Sequence, residues 1–258
     1  MRNLNLSLAC LPGKHVLEAV CIAKSMQAEG KLVDPLHGSI SLETVQLVPQ
    51  SFGTLGLQTI EAIKSALPSA RFRLHANVPI AGRGFEPDLS NARQYEGWFK
   101  SLKGINDALG SPVYTLHSGL KSATDLQGMI DNARWLEELL GCTVGIEGQY
   151  PDKHDRFLMS SWQEYEKVFL SGMSMAIDLS HLNIVRHHNG GQAPLDLISA
   201  MLESPQCVEV HLSENNGCGD WHQTCTKKAW WHGLLDLINP DAVIFSEGNL
   251  LRSRAESH

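Results

Sequence analysis

The chain is 258 residues long, enough to bury a full core, and no Pro/Ser-rich linker, charge block or low-complexity stretch divides it, so residues 1–258 read as one domain. A hydrophobic content of 43% against 19% charged residues excludes a disordered chain, and no apolar run reaches membrane-spanning length, so a cytoplasmic protein without a membrane partner is expected. The net charge of −7 and the scattered bases, with Arg71 and Arg73 in a strand and Lys227 and Lys228 only a pair, disfavour duplex DNA as a partner.

Periodicity predicts strands and helices in alternation. Leu4 to Cys10 is a strand, followed by a helix from about Lys14 to Ala28. Leu42 to Val48 leads to a helix near Leu55 to Leu67, and Arg71 to Asn77 to one near Asn91 to Leu109. Pro112 to His117 precedes Thr124 to Leu140, and Thr143 to Glu147 precedes Phe157 to Leu170. Met173 to Asp178 precedes Leu195 to Leu202, Val208 to Leu212 precedes Trp230 to Ile238, and Ala242 to Ser246 closes the series. Eight β/α units in a chain of this length predict a single (β/α)8 TIM barrel. Gly82-Arg83-Gly84 lies in a long loop and reads as a turn, not a phosphate-binding fingerprint.

The strand ends carry the chemistry. His75, His117, Glu147, Asp178, His211 and Glu247 each close a short apolar run, and a Gly or small polar stretch soon follows. His181 and Asp220-Trp221-His222 add further donors just beyond strand ends, where the chain is expected to have become a loop. In a parallel barrel all strands deliver their C-terminal ends to one face, so these residues would converge there. Imidazole and carboxylate are the ligands that zinc, manganese and non-haem iron take from proteins. Buried carboxylates at Glu147, Asp178 and Glu247 would each cost several kcal/mol unless paired or metal-bound, and few bases lie near them in sequence.

The remaining candidates are weaker. Cys10, Cys21, Cys142, Cys207, Cys218 and Cys225 contain no Cys-x-x-Cys pair and read as reduced and structural. His15, His37, His154 and His258 lack metal-like context, and His187 and His188 read as solvent-facing in the loop after the sixth strand. Trp230-Trp231-His232 reads as packing a helix on the barrel.

From His75 to Glu247 the ordered donor set resembles that of the xylose isomerase-like TIM-barrel superfamily, which includes sugar isomerases and epimerases, endonuclease IV and multinuclear non-haem iron oxidative enzymes. Resemblance to the endonuclease IV-like members implies two or three divalent ions, zinc, manganese or iron. His75, His117 and Glu147 would hold one; Glu147, Asp178, His211 and Glu247 a second; His181, Asp220 and His222 a third. Resemblance to the epimerases implies a single ion on Glu147, Asp178, His211 and Glu247, with His181 touching substrate. The arginine those epimerases carry beyond the seventh strand is replaced here by Gly217.

Mechanism separates three readings. An isomerase or epimerase would move a proton to and from carbon with Glu147 and Glu247, assisted by His181, on a small polar substrate. A phosphodiester hydrolase would use several ions to generate hydroxide, and an iron oxidase would use the same cage for dioxygen. Val48-Pro49-Gln50-Ser51-Phe52-Gly53 has no cation for a phosphate backbone, and the loop opening Ala76-Asn77-Val78-Pro79 has no tyrosine to enter a duplex. The sugar or sugar-phosphate isomerase is therefore ranked narrowly first, with the endonuclease IV-like hydrolase and the iron oxidase as alternatives.

Overall fold

A computed structural model describes residues 3–76, 78, 80 and 87–251. Eight strands, β1 (Leu4–Ser7), β3 (Gly38–Leu47), β4 (Arg71–His75), β5 (Val113–His117), β6 (Thr143–Glu147), β7 (Met175–Asp178), β8 (Cys207–Leu212) and β9 (Val243–Ser246), lie side by side in chain order, all parallel. β1 pairs with both β3 and β9, which closes the sheet into the predicted (β/α)8 barrel. A two-residue strand, β2 (Val33–Asp34), pairs antiparallel with the start of β3 and has no counterpart in the sequence prediction.

Helices α1 (Val16–Ala28), α2 (Leu57–Ala66), α3 (Glu96–Leu109), α4 (Leu126–Leu140) and α5 (Trp162–Leu170) connect the first six barrel strands, β1 to β7. Local chemistry sets their ends. Asp125 accepts the Gly128 N–H at 2.8 Å to start α4, and Ser161 with Glu164 forms a reciprocal cap that starts α5 at Trp162, later than the predicted Phe157. Among the described residues no helix is long and apolar enough to cross a membrane.

Three segments differ from prediction. β1 ends at Ser7 and Leu8–Cys10 winds into a 3-10 turn, and the segment after β8 is 3-10 (Trp230–Leu237) instead of α. Trp231 is buried there, as expected. The third difference matters for the site. α6 (Leu179–His188) begins directly at Asp178, where a loop was expected, and is followed by α7 (Leu195–Glu203). Asp178 caps α6 by accepting the N–H groups of Ser180 and His181, at 2.6 and 3.0 Å. Because Leu179, Ser180, His181, Leu182, Ile184 and Val185 are all buried, the segment lacks a one-sided apolar stripe and periodicity could not find it. His187 and His188 are exposed, in its last turn. β4 ends at His75; its predicted extension to Asn77, the Gly82–Gly84 turn and His258 lie outside the described residues.

Candidate metal centre

Side chains alternate along a strand, so residues two apart share a face. That rule stacks two polar layers inside the barrel. The lower layer is Gln46, Arg73, Thr115 and Glu209, all buried; two residues further along β4, β5 and β8 stand His75, His117 and His211. Arg73 Nη1 donates to Glu209 Oε1 at 2.9 Å, while Thr115 Oγ1, Gln46 Nε2 and His211 Nε2 donate to Glu209 Oε2 at 2.7, 3.0 and 3.2 Å. Burial alone would raise the Glu209 carboxyl, but these donors and the Arg73 charge outweigh it and hold it at about 2. His211 therefore has one nitrogen fixed on Glu209 and presents Nδ1 to the layer above.

The upper layer opens into a cavity of about 130 Å³ lined by Gln50, His75, His117, Glu147, Gln149, Tyr150, Asp178, His181, Asp220, His222 and Glu247. His211 lies fully buried against it. All nine sequence-predicted donors are thus brought together. Glu147 is central: its Oε2 lies 3.3 Å from both His75 Nε2 and His117 Nε2, and its Oε1 lies 3.2 Å from His211 Nδ1 and 3.8 Å from His181 Nδ1. Three donor sets have all their donor atoms within 4.8 Å of one another: His75, His117 and Glu147; Glu147, Asp178 and His211; His75, His211 and Glu247. His181, Asp220 and His222 form a further group, with His222 Nε2 and His181 Nε2 at 2.9 and 3.5 Å from Asp220 Oδ2.

The donor chemistry fits a divalent ion. Glu147 Oε2 is buried with no hydrogen-bond partner among the described residues, although two imidazole nitrogens face it. Such a convergence of lone pairs is what a Lewis acid satisfies. His181 Nδ1 donates to the Gly148 carbonyl at 2.8 Å and His222 Nδ1 to the Glu247 carbonyl at 3.2 Å, which turns each Nε2 toward Asp220, where a metal ion would take the place of its proton. His222 holds this pose at φ +45°, a strained conformation for a side-chain-bearing residue.

The electrostatics split the two acidic walls. Burial would raise Glu147, but the facing imidazoles of His75, His117 and His211 outweigh it and hold the carboxyl well below its usual range. Glu247 goes the other way, raised by burial and by Asp178 and Glu147 against the pull of His211 and His222. Burial lowers His75 to about 3, so its ring is neutral and available as a ligand. Burial also lowers His181 and His222 in principle, yet their carboxylate neighbours win, His222 reaching about 9. Among the described residues the basic side chains within 4 Å of the Glu147 carboxylate are histidines, and no lysine or arginine joins them; Arg73 serves Glu209 instead.

Sequence reasoning missed Glu209, Gln46, Arg73 and Thr115, and also Gln149 and Tyr150, which directly follow Glu147-Gly148 and line the cavity. Burial and the acidic wall push the Tyr150 phenol up to about 12, so it stays a hydrogen-bond donor. Gly217, where an arginine was expected from the epimerase resemblance, has φ +84°, and a Cβ there would stand 2.7 Å from the His187 side chain. An arginine at this position would be strained and would have to displace the His187 side chain. A larger hollow, about 670 Å³, opens at the opposite end of the barrel around Asn106, Ser111, Glu137 and Cys142.

No protein-family model and no curated protein matches the chain. Solved structures do. A D-tagatose 3-epimerase-like protein superposes with TM-score 0.67 at 14% identity, covering 99% of this chain and 95% of that one. An AP endonuclease, family 2, from Brucella melitensis gives 0.65 at 13% identity, covering 96% and 93%. An IOLI protein with a bound zinc atom gives 0.57 at 9% identity, covering 96% and 90%. At such identities the likeness is one of fold. The chain shares with these proteins the TIM-barrel fold expected from its sequence.

Proposed function

We propose that the chain, taken as one domain over residues 1–258, is a divalent-metal-dependent isomerase or epimerase acting on a small polar substrate, a sugar or sugar phosphate. The observation that carries this reading is the Glu147–Glu247 pair: both line one small cavity, face the same His211 nitrogen at 3.2 and 3.8 Å, and are pushed in opposite directions by their surroundings. Two carboxyls so separated are a base and an acid at one pH.

The nine donors, His75, His117, Glu147, Asp178, His181, His211, Asp220, His222 and Glu247, would hold two or three ions of zinc, manganese or iron. A bound ion would polarise a hydroxy-carbonyl unit and acidify the adjoining carbon. Glu147, whose carboxyl is held low, would take the proton from that carbon, and Glu247, whose carboxyl is raised, would return one from the other side. His181, its ring fixed on the Gly148 carbonyl, presents Nε2 to a substrate oxygen, and the protonated Tyr150 donates a hydrogen bond. Gln50 and Gln149 supply neutral donors and acceptors, which suits hydroxyl groups better than a phosphate backbone.

A second reading, a metal-dependent phosphodiester hydrolase, is favoured by the full set of nine donors, more than one ion can coordinate. One experiment separates the two. Keto-sugars and their phosphates are offered in deuterated water, and an abasic-site duplex in parallel, each with and without chelator. Deuterium appearing at carbon supports the isomerase; chelator-sensitive strand cleavage replaces it with the hydrolase; silence in both arms moves the assignment to the iron oxidase.

A further inference from the structure

Outside the cavity, three buried donors from distant parts of the chain meet. Asp34 ends β2, His37 lies in the turn before β3, and Cys225 sits in the loop after β8; their donor atoms lie within 4.8 Å of one another. None of the three lines the cavity. Asp34 Oδ1 accepts the N–H groups of Leu36 and His37 at 3.0 and 2.9 Å, which fixes the turn and leaves Oδ2 facing Cys225, whose N–H stands 3.4 Å away. The His37 ring is held by parallel stacking on His232 at 5.1 Å and on Trp231 at 6.3 Å. Its Nε2 is buried and has no hydrogen-bond partner among the described residues.

We propose that Asp34, His37 and Cys225 form a separate structural site for a thiophilic divalent cation of the zinc type. One sulfur, one imidazole nitrogen and one carboxylate oxygen are a zinc donor set, and in a tetrahedron around zinc such atoms stand about 3.4–3.6 Å apart, within a side-chain movement of about 1 Å from the present arrangement. On binding, the Cys225 thiol gives its proton to solvent and the ion takes the thiolate, the Asp34 carboxylate and neutral His37, so the buried cluster carries no net charge. Water fills the fourth position, because His232 Nδ1 already accepts the Ala229 N–H at 2.7 Å and its ring serves to orient His37.

The site ties the β2–β3 turn to the loop that carries Asp220 and His222, three to five residues before Cys225. That loop is pressed against the barrel, since a Cβ at Gly248 would stand 2.7 Å from the Thr224 backbone. The proposal stands whether or not the isomerase reading does.

The test uses the metal-free full chain titrated with Co²⁺ under reducing, oxygen-free conditions. The cavity donors include no sulfur, so a sulfur-to-cobalt charge-transfer absorption that Cys225→Ser removes reports the Cys225 site. One equivalent of that band is expected, retained in Glu147→Gln and in Cys10→Ser and lost in Cys225→Ser; His37→Gln and Asp34→Asn should keep the sulfur but shift the band and weaken binding at least tenfold. Absence of the band in the unaltered chain overturns the proposal even should Cys225→Ser fail to fold. A band that survives Cys225→Ser, or disappears in Cys10→Ser, overturns it equally.

Discussion

Glu209→Gln removes a single charge from beneath the candidate centre, and its cost can be worked from the contacts. Glu209 receives four donors: Arg73 on Oε1, and Thr115, Gln46 and His211 on Oε2. An amide has one oxygen. Placed where Oε2 was, it keeps the Thr115, Gln46 and His211 donors but turns its NH2 toward the Arg73 guanidinium. Arg73 and Glu209 are both buried, so a charge-assisted hydrogen bond worth about 1.5–3 kcal/mol is lost and a guanidinium is left without its counter-charge. Breaking one side of a buried pair costs about 3–5 kcal/mol, which for a chain of this size lowers the melting temperature by about 10 °C. Removing both charges, in Arg73→Met with Glu209→Met, should recover much of that loss.

The same substitution reaches the metal. With Glu209 neutral, the His211 ring is less strongly anchored and less basic at Nδ1, so metal affinity should fall about 10–100-fold. Urea unfolding of the metal-free protein and a competition titration with a chelator measure the two effects separately. A stability change below about 1 kcal/mol with unaltered metal affinity would refute the layered account of the site.

Three further outcomes are expected. Metal-replete native protein should carry more than one divalent ion per chain; at most one equivalent by elemental analysis contradicts the multinuclear assignment. Glu147→Gln should lower metal content and abolish turnover while leaving the circular dichroism of the barrel intact, with His154→Ala, an exposed histidine, as control; full occupancy and activity in the Glu147 variant would place the centre elsewhere. Metal-free protein should lose stability as pH rises: His222 is raised from 6.5 to about 9 in the fold, so its contribution is complete below pH 6.5 and disappears as pH climbs through 9, and His181 and His211 act in the same direction. Chemical denaturation between pH 6 and 10 that shows no such decline would contradict this charge arrangement.

The donors were legible in the sequence because each physical constraint there points one way. A short apolar run, buried on both faces, that stops at His or a carboxylate has nowhere to put that group except the barrel mouth. The lower layer was hidden by the same logic. In Cys207-Val-Glu-Val-His-Leu212, Glu209 shares the face of His211 by alternation, but nothing local says that it meets Gln46 and Arg73, 163 and 136 residues away in sequence. Only closure of the barrel reveals that two residues before a ligand means directly beneath it. α6 was hidden for a different reason: its cap, Asp178, had been read solely as a ligand, and both of its faces are buried. Cys225 and His37 were read as unremarkable because β2, which carries Asp34 to them, is too short to leave a pattern.

The donors divide by how they are held, and that division bears on which of them can vary. His75, His117, Glu147, Asp178 and His211 are barrel-strand residues, Glu247 directly follows β9, and His181 lies in the first turn of a helix capped by one of them; hydrogen-bonded strands fix their backbone. Asp220 and His222 stand on a long loop between β8 and the 3-10 turn, with His222 in a left-handed conformation that costs about 1 kcal/mol or more. What opposes that strain is loop packing: the Asn249 N–H donates to the His222 carbonyl at 2.8 Å, Glu214 and Gln223 pair through their backbones at 2.7 and 3.0 Å, and Thr226 donates to the Glu214 carboxylate at 3.0 Å. Two donors kept in place by loop contacts alone will open before the strand-borne set does. The ion that depends on Asp220 and His222 should therefore be the weakest bound, and a staple at Cys225, between this loop and the β2–β3 turn, acts where the centre is least rigid.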